Sequence, residues 1–379
     1  MRVAFDIRYL SHGLTGGVRT YVYHLARAMP RVAPDTPFFF YADAKGDLDL
    51  PQPLPDNVTL RLLPWRSALS SVVNDRRIAG WMRRDSVDVA HFPGNLGAPG
   101  PYRQVVTVHD ALNLFPMREH IRGFGKTPRK VAMMLYLGYQ TRRAVRRADR
   151  LITVSEHARQ EIARIGRCDP ERLTVVHEAA DPRFRRLSDR APVDAIRARW
   201  QMASTVVLAD GIKNPGALTA AWRLLPEPVR AQATLVFFSR EAQPRAEVAA
   251  ALASDDRIRF VPRPTSDELV LLMNAADIFA FPSFYEGFGL PLVEAMQCGA
   301  AIVASDRGSI PEVVGDAGLI FRLEEADRFA AHLAHVLSQP DERARLRAAS
   351  LRRAGEFSWD RAARETLHVY HSTAPAAPR

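Results

Sequence analysis

Short runs of consecutive apolar residues alternate along this chain with longer stretches in which apolar positions recur every three or four residues. The short runs at Arg2–Ile7, Pro37–Tyr41, Val58–Leu63, Val87–Phe92, Gln104–His109 and Leu151–Val154 have the length of β-strands. The amphipathic stretches Val18–Met29, Val131–Arg147 and Glu156–Ile165 predict helices. Strands without polar alternation, separated by helices, point to βαβ units on a parallel sheet covered on both faces. The alternation stops between Asp181 and Val193, where prolines, arginines and aspartates leave few apolar positions, and that stretch reads as a linker. It then restarts with strands at Thr205–Ala209, Thr234–Phe238, Ile258–Val261, Ile278–Phe281, Ala301–Ala304 and Leu319–Phe321. The expected architecture is therefore two doubly wound α/β domains, residues 1–185 and 186–356. Ligands in such folds bind beyond the carboxyl ends of the strands, and the cleft between two such domains is the expected site.

Composition narrows the class. With 379 residues, 47% hydrophobic and 25% charged, the chain is neither disordered, collagenous nor a coiled coil. No run of about 18 apolar residues predicts a transmembrane helix. Met1–Asp6 reads as a strand rather than a secretory leader, so a cytoplasmic location is expected. Cys168 and Cys298 alone make neither a disulfide framework nor a zinc site. The net charge of +10 is unevenly placed: from Met117 to Arg150, ten basic residues face only Glu119 and Asp149.

The stretch FPSFYEGFGLPLVEAMQCGAAIVAS, from Phe281 to Ser305, carries the most chemistry. A strand ending at Phe281 runs into a loop with Gly287 and Gly289, where backbone can approach a ligand closely. Pro291 suits the first turn of a helix and Gly299 its end. The start of that helix offers N–H groups and a positive dipole end, which suits a phosphate. Glu286 precedes the helix and Glu294 lies one turn inside it. Carboxylates beside a phosphate are costly unless they accept from hydroxyls, so the pair suggests sugar hydroxyls as partners. A plain strand-to-helix junction with surface glutamates is the alternative.

The whole string resembles the E-x7-E signature of family 4 glycosyltransferases, which have the GT-B fold of two Rossmann-like domains facing across a cleft. The resemblance implies that Glu286 contacts hydroxyls of the donor sugar and Glu294 the ribose of the nucleotide. It implies that the amides of Gly287, Phe288, Gly289 and Leu290 meet the diphosphate or sugar. DRGSIPEVVGDAGLIF, residues 306–321, is similar to the next block, in which Glu312 is either a donor contact or a helix-start acid. VVLADGIKNPGALTAAW, residues 206–222, resembles the strand, loop and helix that open the second domain. Lys213 there matches the lysine that reaches the diphosphate, and Asn214 reads as the helix cap. Ile212 stands where the resemblance calls for arginine. Arg240, after the next strand, could replace it, although an ordinary strand-end arginine is the readier reading. Base contacts are expected near Arg263, Pro264 and Thr265.

In the first half, Gly16 and Gly17 of TGGVRTYVYHLARAM open a helix. The pattern fails the full G-x-G-x-x-G of a dinucleotide site; the resemblance makes this loop a contact for donor phosphate or acceptor. His109 and Asp110 of TVHDALNLFP resemble the family's HD pair, with His109 near the reacting sugar. Ser155 reads as a helix cap. FSWDRAARETLHVY resembles the terminal helix that returns to the first domain, assigned to 357–372, with a disordered tail at 373–379. Asp47-Leu48-Asp49 matches a metal-binding D-x-D but reads as a solvated loop, and no metal site is expected. Residues 117–150 form either a solvated helix face or a patch for anionic lipid headgroups or a diphosphate-linked acceptor. No nucleic-acid motif accompanies the charge.

Together the motifs imply a retaining, metal-independent hexosyltransferase. It would carry mannose, with GDP-mannose favoured as co-substrate, to a hydroxyl of a glycan or lipid-linked glycan, as in polysaccharide or lipopolysaccharide synthesis. Glu286, Lys213 and His109 are the expected catalytic residues, and no other cofactor is expected. Contact with the inner face of the cell membrane is a further expectation. Two alternatives remain open at this point: a catalytically weak nucleotide-sugar-binding subunit, which Ile212 keeps alive, and a sugar-nucleotide epimerase on the same fold.

Overall fold

The computed structural model describes all residues except 13–15, 47, 51, 68, 117–126 and 374–379. Asp47, the first part of the basic segment and nearly all of the tail thus lie outside the described residues. The chain divides into two compact units: Met1–Glu178 with Ser358–Arg379, and Ala179–Phe357.

In the first unit, β1 (Val3–Asp6), β2 (Phe38–Asp43), β3 (Val58–Leu63), β4 (Val89–Phe92), β5 (Arg103–Thr107), β6 (Arg150–Thr153) and β7 (Leu173–Val175) form one parallel sheet. Its order is β3-β2-β1-β4-β5-β6-β7. β1 and β4 are buried along their whole length, which is why their sequences lack polar alternation. They are neighbours, with Val3 opposite Val89, and the strand order reverses there. β7 is a strand the apolar pattern does not single out, because it is only three residues long and partly exposed.

Helix Trp359–Thr373 belongs to this unit and packs along helix Gly17–Val32. Trp359 stacks on His24 with ring centroids 5.0 Å apart. The buried Tyr370 hydroxyl reaches His91 Nδ1 at 2.5 Å and Met29 Sδ at 3.4 Å.

In the second unit, β8 (Thr205–Asp210), β9 (Ala233–Ser239), β10 (Ile258–Pro262), β11 (Ile278–Phe281), β12 (Ala301–Ser305) and β13 (Gly318–Phe321) form a parallel sheet in the order β10-β9-β8-β11-β12-β13. Trp222, Phe237, Phe321 and Phe329 are among the side chains closing one face of it. The reversal of order falls between β8 and β11, where Val207 pairs with Ile278 and Leu208 with Phe279.

The stretch read as a linker is corrected by the structure. The first unit ends at Glu178, not at 185, and the segment that follows is pinned to the second unit. The Asn274 side chain, almost wholly buried, accepts from Leu187 N–H at 2.9 Å and donates to Arg185 O at 3.0 Å. One amide thus satisfies the backbone of a polar segment more than eighty positions away, which composition alone does not reveal. From Ala191 the chain is already helical.

Candidate functional site

The loops leaving β8 and β11 at the reversal point bring together the residues expected to meet the donor. Each loop feeds a helix whose first turn no side chain caps, Pro215–Leu224 and Leu290–Gln297. Gly289, the cap of the second helix, has φ +98°, a left-handed conformation that glycine adopts without strain. Lys213 Nζ donates to Glu286 Oε1 at 2.7 Å, and Ser283 Oγ donates to the same oxygen at 2.6 Å. The Glu286 side chain is largely buried, and Lys213 is partly exposed. Asn214 occupies the cap position, but the expected capping bond is absent. Its backbone is left-handed, φ 53°, and its Nδ2 instead donates to Pro282 O at 2.9 Å. The side chain therefore ties the Lys213 loop to the Glu286 loop.

Two more acids flank this pair. Asp210 closes β8 and accepts from Ile212 N–H at 3.0 Å. Burial pushes its carboxyl above the usual range, while Ile212 N–H, Lys213 and Arg240 act in the opposite direction. Glu294 is pushed up to about 7, chiefly by loss of hydration, with Arg240 opposing and Asp181 and Asp210 adding to the shift. A carboxyl poised near neutrality on the first turns of a helix is a perturbed group of the kind functional sites collect.

A second layer holds the loop in place. Ser305 Oγ donates to Ser283 O at 2.7 Å, and Ser309 Oγ donates to Phe288 O at 2.8 Å. Gly308 has φ +59°, and a Cβ there would lie 2.5 Å from Glu286 O. Only glycine permits this apposition. Phe288 turns inward, edge-on to Phe357 at 5.5 Å, and Leu290 is buried, so these two can offer a ligand only their backbone. Glu312 stands in the first turn of helix Ile310–Val314.

Arg263 and Pro264 leave β10, two strands out from β8 in the sheet. Arg263 is left-handed, φ 45°, and its N–H donates to Ser239 O. Thr265 and Glu268 close a capping box on the next helix.

In the first unit His109 is buried with both ring nitrogens engaged. Nε2 donates to Pro93 O at 2.8 Å, and Nδ1 meets Glu178 Oε1 at 3.1 Å. Burial lowers its pKa, but the Glu178 hydrogen bond and charge more than reverse this and hold it above the ordinary value. While these contacts last, the ring has no nitrogen left for the reacting sugar near which the resemblance puts it. Tyr21 packs edge-on against it at 4.9 Å. Asp110 Oδ1 accepts from Leu112 N–H, shaping the turn that follows. Gly16, φ 117°, caps helix Gly17–Val32 without a side chain. Ser155 caps its own helix by accepting from Ala158 N–H at 3.1 Å.

Two family models match this chain in succession. "Glycosyltransferase Family 4" covers residues 15–184, and "Glycosyl transferases group 1" covers residues 209–353. The chain belongs to the family 4 glycosyltransferases. It is 29% identical to the O-antigen chain mannosyltransferase B of Escherichia coli, over 82% of this chain and 81% of that one. It is also 29% identical to the MMP alpha-(1->4)-mannosyltransferase of Mycolicibacterium hassiacum, over 98% of each. To the D-inositol 3-phosphate glycosyltransferase of Mycolicibacterium gilvum it is 34% identical, over 67% of this chain and 58% of that one. Among solved structures, HepE of Anabaena in complex with UDP superposes with a TM-score of 0.72 at 17% identity, covering 98% of this chain and 100% of that one. The fold of this glycosyltransferase is GT-B.

Sequence reasoning missed several residues of the glycosyltransferase that shape these sites. Ser283, Ser305 and Ser309 are small polar residues without a pattern of their own, and Glu178 declares itself only through His109. Gly308, set in the Asp306–Ser309 turn, and Asp210, an acid closing a buried strand, could have been noticed.

Proposed function

We propose that this glycosyltransferase is a retaining hexosyltransferase that takes a nucleoside-diphosphate sugar as donor, with mannose as the sugar, and acts without a metal ion. The observation carrying the reading is the convergence at β8 and β11 of Lys213, Glu286, the near-neutral Glu294 and two helix starts without side-chain caps. The likeness to named mannosyltransferases supports mannose. In this reading the helix dipoles, loop amides and Lys213 stabilise the charge that grows on the leaving diphosphate. Glu286 holds hydroxyls of the donor sugar and Glu294 those of the ribose. His109 contributes in the first unit through its hydrogen bonds, holding Pro93 O and Glu178 in place.

The acceptor is a hydroxyl of a glycan or lipid-linked glycan. Helix Pro128–Arg147 exposes Leu135, Tyr139, Arg142 and Arg146, which the helical period places on one face. Such a mixed apolar and basic face suits an anionic lipid surface. Sedimentation with phosphatidylglycerol vesicles, and its loss in Leu135→Ser/Tyr139→Ser, tests this part. Among the described residues no helix is long and apolar enough to cross a membrane.

The main test is calorimetric binding of GDP-mannose, UDP-glucose, UDP-GlcNAc and dTDP-rhamnose with and without EDTA. NMR of the product formed with the accepted donor follows. GDP-mannose binding indifferent to EDTA, and a product that keeps the donor's anomeric configuration, are expected. Dependence on a divalent ion, an inverted product or preference for another sugar would overturn the corresponding part.

A further inference from the structure

We infer that Arg240 is the second cation of the donor site and binds the diphosphate together with Lys213; this rests on the donor reading above. β8 and β9 run in register, with Asp210 opposite Phe238, and Gly211 N–H donates to Phe238 O at 2.8 Å. A Cβ on Gly211 would lie 3.3 Å from that same oxygen. The loop carrying Lys213 is thus laid against the end of β9, and Arg240 is the first residue beyond that strand. Its charge opposes the upward shifts of both Asp210 and Glu294. Arg240 is exposed and makes no hydrogen bond or ion pair among the described residues.

The local charge count gives this position its meaning. Asp210 and Glu286 contribute two negative charges, and Lys213 is already engaged by Glu286 at 2.7 Å. Without Arg240 a diphosphate would meet a wall of net negative charge, which the helix starts offset only in part. Neighbouring arginines are committed elsewhere: Arg245 to Glu241 and Ile212 O, and Arg183 to Asp181. Ile212 itself is apolar and supplies only backbone. The free guanidinium matches a diphosphate by charge and by its forked geometry.

The test compares nucleoside diphosphates (GDP, UDP, dTDP, ADP) with the corresponding nucleosides by calorimetry, on wild type, Arg240→Ala and Ile212→Arg/Arg240→Ala. Losing one charge-assisted contact weakens binding roughly tenfold to a hundredfold. Arg240→Ala is expected to lose that much affinity for the accepted diphosphate, with nucleoside affinity and melting temperature unchanged. Arginine at 212, on the same loop, is expected to recover most of the loss. Wild-type-like diphosphate binding by Arg240→Ala overturns the inference, as does an equal loss for nucleoside and diphosphate. Failure of wild type to bind any of the four diphosphates refutes the donor reading itself, and the inference with it.

Discussion

Replacing Glu294 by glutamine preserves the shape of a side chain whose carboxyl sits at about 7 rather than 4.5, and removes its charge. The raised value means that the folded protein disfavours the ionised form. The contribution to stability is fully favourable below about pH 4.5, falls as pH rises towards 7, and levels off above it. The full penalty is about 3 kcal/mol at alkaline pH, and about 1 kcal/mol at pH 5. Glutamine pays none of it. Relative to wild type, Glu294→Gln should therefore gain about 2 kcal/mol of stability between pH 5 and pH 8.5. Hydrogen exchange of the most protected amides of β8 and β11, without ligand, reads the second unit separately from the first. A stability difference that is the same at both pH values would refute the reasoning. The same substitution should weaken donor binding, so the charge would be a feature kept for function at the expense of the fold.

Lys213→Ala should lower kcat/KM about a hundredfold or more by removing a charge aimed at the leaving group; a steady-state loss under about threefold would count against it. Gly308→Ala puts a Cβ 2.5 Å from Glu286 O, so the loop must shift. It should lose most activity while circular dichroism stays native, and unchanged kinetics would sink the buttress argument. His109→Leu removes the hydrogen-bond donor facing the buried Glu178 and should cost about 3 kcal/mol or more in urea titrations. In wild type the raised His109 value means that its stabilisation is complete below about pH 6.5 and is lost as pH rises through the folded value. An NMR ring titration should give a midpoint above 6.5, and one below it would contradict the Glu178 pairing.

Much of the architecture was legible because buried parallel strands leave a local signature. Val58–Leu63 and Ile278–Phe281 are bounded in the structure as the apolar pattern bounds them. The Glu286 loop was legible because it follows such a strand and carries glycine and proline at the turn into a helix, whereas the Lys213 loop was reached through the family resemblance. What escaped depends on partners remote in sequence. Asn214 has the composition of a cap, yet its left-handed backbone sends the amide to Pro282 O, 68 positions away. His109 looked available until Glu178, 69 positions on, engaged it. The segment after Asp181 looked like a tether because Asn274, which fastens it, gives no sign in its own neighbourhood. Local pattern reports which surfaces are dry; it does not report which polar groups meet.

In the ligand-free unit Lys213 and Glu286 act as each other's counter-ion. On the proposed reading, an arriving diphosphate recruits the lysine, and Glu286 must then find new hydrogen-bond donors. The hydroxyls of an attached sugar can provide them, so an intact nucleotide sugar completes an exchange of partners. A nucleotide stripped of its sugar completes only half of it and leaves the Glu286 carboxylate with the Ser283 hydroxyl but without its counter-ion. The site would thus hold substrate more firmly than by-product, and transfer of the sugar would itself loosen the grip on what remains. Turnover would then be eased by a resting-state contact that the donor has to break on entry.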